Sequence, residues 1–361
     1  MADKIKSVFG AYSDKLQVVV DSSLEKFAPV WWKNYFDWGI QKTSLTFETV
    51  IGRSRIEAAA SVVASGSSSP LRSRAGLEKL SGSIPAIKEK FIMSENDYRD
   101  MLVLQSMNVD DVTLRNAMLD LLFADVKKVG DASMKRLDYM VLQAISTGII
   151  SMTTTNNPDG IVTGNIDLLM PAGNKKKASV LWSLLATAKP ITDIKTIVEA
   201  AEDKGISFAK ILMTRTTFWK LQAAAETTSM MAGFFRMTTG QKRVGTLDEI
   251  NQMLESNQFP VIEIVNQTIG IESDGIISAQ KPFSENSVVF IPSGKLGLIH
   301  NAIAIESLKP VASVSYATFE RSLISKYAQN DPFAEYTAVE LNAFPGIEAI
   351  DRIMILDCES V

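Results

Sequence analysis

The stretch from Asp110 to Thr147 does most to restrict what this chain can become. Leu114, Ala117, Met118, Leu121, Leu122, Val126 and Val129 recur at three- and four-residue steps, and Leu137, Met140, Val141, Ala144 and Ile145 continue the pattern. The spacing predicts one helix that Gly130 kinks and Gly148 stops, since glycine enters the left-handed region without strain. At 1.5 Å per residue the rod is about 57 Å long. A helix of that length is unusual in a compact enzyme domain and needs an apolar bed along much of its length.

Before this rod, Ile5, Val8, Phe9, Tyr12, Leu16, Val19, Val20, Leu24 and Phe27 outline an amphipathic N-terminal helix ending at Pro29. It must cover an apolar surface, either of its own chain or of another. Trp31, Trp32, Tyr35, Phe36 and Trp38 follow as an aromatic cluster. Basic residues hardly interleave with them, so they read as packing for this arm and not as a stacking platform for bases. Two extended runs, one around Leu45, Phe47 and Thr49 and one over Ile84–Met93, flank a breaker-rich, polar and basic stretch. Together they predict a long hairpin with almost no core of its own. Such an arm is stable only with something under it.

After the rod, Pro158-Asp159-Gly160 marks a turn between strands at 149–155 and 161–169. The pattern then becomes α/β. Helices are expected at 191–204, 216–227 and 247–254, and strands at 209–213, 259–265, 288–291 and 296–305. Strand-like runs fill the terminal part, ending at Asp351–Asp357.

Charge is uneven along the chain. Residues 51–90 hold seven basic and three acidic side chains, a net +4, while residues 331–361 hold seven acids and one arginine, a net −6. The plain reading is two solvated surfaces with a bias. The sharper one is two complementary surfaces that meet within a chain or between chains. The whole-chain charge of −4 argues against general affinity for nucleic acid.

In-chain chemistry has little to work with. One histidine and one cysteine exclude a Cys/His zinc site built by one chain, and any internal disulfide. His300 lies in an apolar run and reads as a hydrogen-bonded strand residue. Cys358 sits between Asp357 and Glu359, which oppose thiolate formation. Ser293-Gly294-Lys295-Leu296 lacks the hydroxyl and upstream glycine of a phosphate loop, and no G-x-G-x-x-G follows a strand. The basic patches Lys175–Lys177 and Arg236/Lys242/Arg243 read as solvated surface. No catalytic residue, metal ligand or cofactor is expected, and no signal peptide or membrane span.

The order of elements, with Leu142–Gly148, Asn165–Asp167, Trp182, Pro190–Ile194, Ile211–Thr214, Thr217–Leu221, Phe290–Gly297 and Phe344–Leu356, resembles the phage lambda-type major capsid protein E family. The resemblance runs from about residue 43 to the end. It implies an α+β chain with the Hong Kong 97-type capsid fold. Its parts would be an N-terminal arm (1–44), an E-loop (45–93), a P-domain with the spine helix (94–170), an A-domain (171–310) and strands returning to the P-domain (311–361). It also implies a structural protein that assembles into hexamers and pentamers of an icosahedral virion shell around double-stranded DNA, made in the host cytoplasm. Scaffolding, decoration and portal proteins are the partners implied besides further copies of the chain. On this reading Arg53, Arg55, Arg72, Arg74 and Lys79 of the E-loop meet Glu335, Glu340, Glu348 and Asp351 of an adjacent subunit. Some shells of this fold join a lysine to an asparagine; the lambda-type branch does not rely on this, and Lys79 and Asn342 read as ordinary surface residues. The alternatives are an encapsulin-like compartment shell and a carboxylate-based α/β enzyme.

Overall fold

The computed structural model describes residues 16–22, 27–51, 78–97, 99, 103, 112–238 and 240–360. Helix α1 (Leu16–Ser22) and a 3-10 turn at Trp32–Asn34 lead into β1 (Phe36–Lys42), β2 (Thr46–Ile51), β3 (Glu78–Ser83) and β4 (Ala86–Ser94). The spine helix is α2 (Val112–Thr147). Next come β5 (Ile149–Met152), β6 (Thr163–Asp167), β7 (Lys175–Lys177), α3 (Pro190–Glu202), β8 (Lys210–Met213), α4 (Arg215–Ala223), α5 (Ala225–Phe234), α6 (Leu247–Ser256) and β9 (Val261–Ile264). The chain closes with β10 (Ile269–Ser273), β11 (Ile276–Gln280), β12 (Ser287–Ile291), β13 (Gly297–Ala302), α7 (Ile305–Leu308), β14 (Ser315–Phe319), β15 (Ser322–Asn330), β16 (Phe333–Gly346) and β17 (Met354–Asp357).

The spine is one helix of 36 residues that runs through Gly130 without interruption. Gly130 serves packing: a Cβ there would lie 2.7 Å from the Phe27 ring. Gly148, at φ +74°, ends the helix as expected, its N–H donating to the Ala144 carbonyl at 2.8 Å. The apolar bed is a six-stranded sheet in the order β1-β13-β16-β15-β14, with β4 also paired to β16. Val126, Val129, Leu137, Met140, Val141 and Ile145 share one core with Ile324, Leu341 and Phe344 from this sheet. Full burial of each such side chain stabilises by about 1.5–3 kcal/mol, which is what holds so long a rod in place.

A five-stranded sheet, ordered β7-β17-β12-β8-β9, carries the α/β part. Its core joins Trp182, Ile194 and Ile197 to Phe218, Leu221, Ile250, Leu254, Phe290 and Leu356. One helix expected over 216–227 is two: Ala224 is extended (ψ 141°), and the Ala225 N–H donates to the Leu185 carbonyl at 2.8 Å. The run Gln222-Ala-Ala-Ala225 contains no breaker, so a tertiary hydrogen bond makes the break.

The arm question resolves from residue 16 onward, where it packs on its own chain. Leu16 and Val20 are buried, Gln17 exchanges two hydrogen bonds with the Thr318 backbone, and Phe27 stacks on Phe319 at 3.9 Å. Residues 1–15 and 23–26 of the expected N-terminal helix lie outside the described residues, and Phe27–Pro29 are not helical.

The expected hairpin differs in its pairing. Strand β2 pairs with β3, which lies within the stretch read as a polar tip, while β4 runs antiparallel to β16 from Ala86↔Asn342 to Ser94↔Ala334. The 14-residue β16 has backbone donors and acceptors on both sides, and β4 lines one side from Ala334 to Asn342. Two strands also cross the expected boundaries. β13, with His300, joins the terminal strands in the first sheet, and β17, with Cys358 next to it, joins the second sheet.

Candidate functional site

In a chain of this architecture the chemistry that matters is contact, so the site is read from its charged and aromatic surfaces. The aromatic cluster lies against the spine: Trp31, Trp32, Tyr35 and Phe36 are buried and Trp38 is half-buried. Trp32 meets Trp38 edge-on at 4.9 Å, and Trp31 tilts against Tyr35 at the same distance. The latch is electrostatic. Asp138 on α2 accepts the backbone N–H of Trp31 at 3.1 Å and of Trp32 at 2.7 Å, and Asp131, two turns earlier, accepts that of Ala28 at 2.9 Å. Burial pushes the Asp138 carboxyl up to about 6, against the opposing pull of those donors and of Lys33. Tyr35 then ties the arm to the second sheet by donating to Glu263 at 2.6 Å, where Lys210 also pairs at 2.7 Å. Sequence reasoning missed Asp138. Its signal is a carboxylate set between Leu137 and Tyr139-Met140-Val141, inside the apolar stripe.

The charged residues fall in several places. Arg53, Arg55, Arg72 and Arg74 lie outside the described residues. Lys79 makes an exposed pair with Glu48 at 3.4 Å across the β2–β3 hairpin, a contact of small energetic value. Glu340 pairs with Lys88 of its own chain at 2.5 Å, opposite it in the β4–β16 register, and Lys90 lies over the Tyr336 ring. Basic and acidic segments therefore do meet within one chain, along this seam. Glu335 is buried beneath the spine, where it and Asp125 act on the buried Lys326. Desolvation nevertheless carries the Lys326 ammonium down to about 8. Glu359 pairs with Lys220 at 2.8 Å on the second sheet, so the acidic tail is divided between two sheets. Glu348 is exposed and Asp351 half-buried. Asn342, read as a surface residue, is buried and donates to Glu340 at 2.9 Å.

His300 hydrogen-bonds the Thr49 hydroxyl at 2.7 Å and stacks on Phe47, which clips β2 onto β13. Burial, with Lys42 nearby, holds its pKa below the ordinary value. Cys358 is fully buried and its thiol is pushed up to about 12. It is therefore expected to resist a charged disulfide reagent in the native protein and to react about as a free thiol in denaturant. Stoichiometric labelling without denaturant would contradict this placement. Among the described residues, no group of three or more His, Cys, Asp or Glu is arranged to hold a metal ion, and no helix is long and apolar enough to cross a membrane.

Comparison with known proteins fits this architecture. The family described as phage major capsid protein E matches residues 21–354. The putative capsid protein of a prophage of E. coli CFT073 superposes with a TM-score of 0.56 at 13% identity, covering 98% of both chains. A phage-related protein from Bordetella bronchiseptica RB50 gives 0.51 at 13% identity, covering 95% of this chain and 96% of that one. No curated protein matches the sequence.

Proposed function

Because the chain belongs to the phage major capsid protein E family, we propose that its copies form the hexamers and pentamers of an icosahedral shell that encloses packaged double-stranded DNA. The observation that carries the reading is the family match over residues 21–354, on a chain built as one long spine between two sheets. The working division keeps an arm (1–44), an E-loop (45–93), a P-domain (94–170 with 311–361) and an A-domain (171–310). It exchanges β13 into the P-domain sheet and β17 into the A-domain sheet. The role is mechanical and no reaction is assigned. Ring closure comes from heterologous contacts, in which two different patches of each copy meet. Scaffolding, decoration and portal proteins are the further partners, and assembly takes place in the host cytoplasm before the virion is complete.

In this reading the basic residues of the E-loop make the contact with the adjacent subunit. Lys88 and Glu340 are already paired within one chain, so Arg53, Arg55, Arg72 and Arg74 are the cations proposed to meet carboxylates such as the exposed Glu348 on the neighbour. Negative-stain microscopy of the purified recombinant chain tests the shell reading: shells, tubes or capsomers are expected, and uniform monomers under all conditions would overturn it. For the E-loop contact, Arg72→Glu with Arg74→Glu is expected to reduce shell yield at least about tenfold while the monomer stays folded. Normal shells from that double variant would sink the contact.

A further inference from the structure

Among the described residues, the strands β10 and β11 form a two-stranded ribbon that pairs with no other strand, from Ile269↔Gln280 to Ser273↔Ile276. Asp274 and Gly275, both at positive φ, make its tight turn. One side is anchored: Ile269 and Ile271 are buried against Tyr139 of the spine. On the outer face Ile277, opposite Glu272, is 69% exposed, and at the tip Ile276, opposite Ser273 and beyond the anchored part of the inner face, is 73% exposed. Glu272 and Asp274 flank them, both exposed, with no cation between Thr268 and Gln280. A ribbon of two strands is marginal alone, and two exposed isoleucines at its free end are a poor surface for a protein that stays single.

The loop between α5 and α6 has the opposite character. Arg236, Met237, Lys242 and Val244 are exposed there, and no acid occurs from Ala232 to Thr246. Arg243 is engaged, paired with Glu249 of α6 and lying over the Phe235 ring at 3.8 Å. Among the described residues, Arg236, Lys242, Glu272 and Asp274 make no ion pair. One exposed patch is thus acidic with two isoleucines, and the other is basic with a methionine and a valine.

We propose that the β10–β11 ribbon of one copy docks on the α5–α6 loop of the adjacent copy, with Glu272 and Asp274 facing Arg236 and Lys242 around an apolar centre of Ile277, Met237 and Val244, and with Ile276 at the ribbon's tip. The occupant is a second copy of this chain, which rests on the shell reading. A heterologous contact needs two unlike, complementary patches on one molecule, and charge of opposite sign around an apolar centre supplies register and rejects wrong pairings. Lysines and arginines in the loop repel a second loop, and the carboxylates repel a second ribbon, so the pairing is one of unlike patches.

Cross-linking tests it directly, because the native cysteine is buried. The Ile277→Cys/Val244→Cys double variant, oxidised after assembly, is expected to run as a ladder from dimer upward on a non-reducing gel, with each single variant monomeric. A charge exchange gives a second readout. Glu272→Lys/Asp274→Lys alone, or Arg236→Glu/Lys242→Glu alone, should lower the assembled fraction at least tenfold. All four together should restore it to within about twofold. Shells that form normally yet give no ladder, or single-sided exchanges that assemble normally, would overturn the contact and leave the shell reading standing. An unsubstituted chain that never assembles would remove both.

Discussion

Replacing Gly297 with alanine is expected to cost the folded protein at least about 3 kcal/mol. Gly297 opens β13, pairing in parallel with Phe36, while Leu298 beside it pairs with Gly346. A Cβ at 297 would lie 2.0 Å from the Gly346 carbonyl oxygen and 3.0 Å from the Glu348 nitrogen. Both neighbours are backbone, so no rotamer relieves the clash and the strands must part. That parting strains the turn in which the Leu296 N–H donates to the Tyr35 carbonyl at 2.7 Å and the Ala349 N–H to the Leu296 carbonyl at 2.9 Å. Overpacked cores lose typically 1–3 kcal/mol, and a backbone clash belongs at or above about 3 kcal/mol. Against a total stability of about 5–15 kcal/mol, that is a large fraction. A urea unfolding midpoint and the soluble yield measure it. Gly164→Ala is the control, because nothing lies within 4 Å of a Cβ there, and its effect should stay within about 0.5 kcal/mol. Equal midpoints for the two variants would refute the close approach at Gly297.

The second large effect belongs to Asp138. Asp138→Ala removes the acceptor of two buried backbone N–H groups, each costing about 1–3 kcal/mol when left without a partner. A loss of about 3 kcal/mol is expected, with loosening of the Trp31–Trp38 segment visible in tryptophan fluorescence. Asp138→Asn keeps one carbonyl oxygen but turns an amide donor toward a donor, so about 2 kcal/mol is expected. The pH dependence separates the two states of this carboxyl. Its folded pKa, about 6, lies above the ordinary 3.8, so between those values the folded chain binds a proton that the unfolded chain has released. Stability from this group therefore falls as pH rises through that window and recovers on acidification, by about 3 kcal/mol in all. The wild-type midpoint should rise relative to that of Asp138→Asn as pH is lowered from about 7 to about 4. A gap that does not change with pH would show that Asp138 does not titrate in this window.

Particular residues show how far the sequence could be read. The spine pattern located α2 to within two residues at its start and at the same end, Thr147. Period and a glycine stop are local signals, and thirty-six residues of consistent stripe leave few alternatives. The α3, α6, β8 and β9 segments were also found near their observed bounds, and Thr246 with Glu249 forms a reciprocal capping box at the start of α6. By contrast, nothing local marks the break at Ala224. The partner of β4 was not readable either, since an extended run carries no mark of which strand it joins. The aromatic cluster was recognised as packing, but its anchor, Asp138, lies more than a hundred residues away in sequence.

By itself the sequence determined the element order, the long rod, the poverty of catalytic side chains and the resemblance to a capsid family. These follow from periodicity, composition and ordered short motifs, all of which are properties of neighbouring residues. Tertiary structure alone decided that β4 lies on β16, that Lys88 meets Glu340 in the same chain, and that β13 and β17 belong to opposite sheets. It alone decided that Gly297 allows two backbones to touch and that one ribbon buries Ile269 and Ile271 while leaving Ile276 and Ile277 exposed. The physical reason is common to all of them. Strand pairing, close approach and burial depend on which distant segment arrives alongside, and that choice minimises exposed apolar surface and unpaired backbone groups over the whole chain at once.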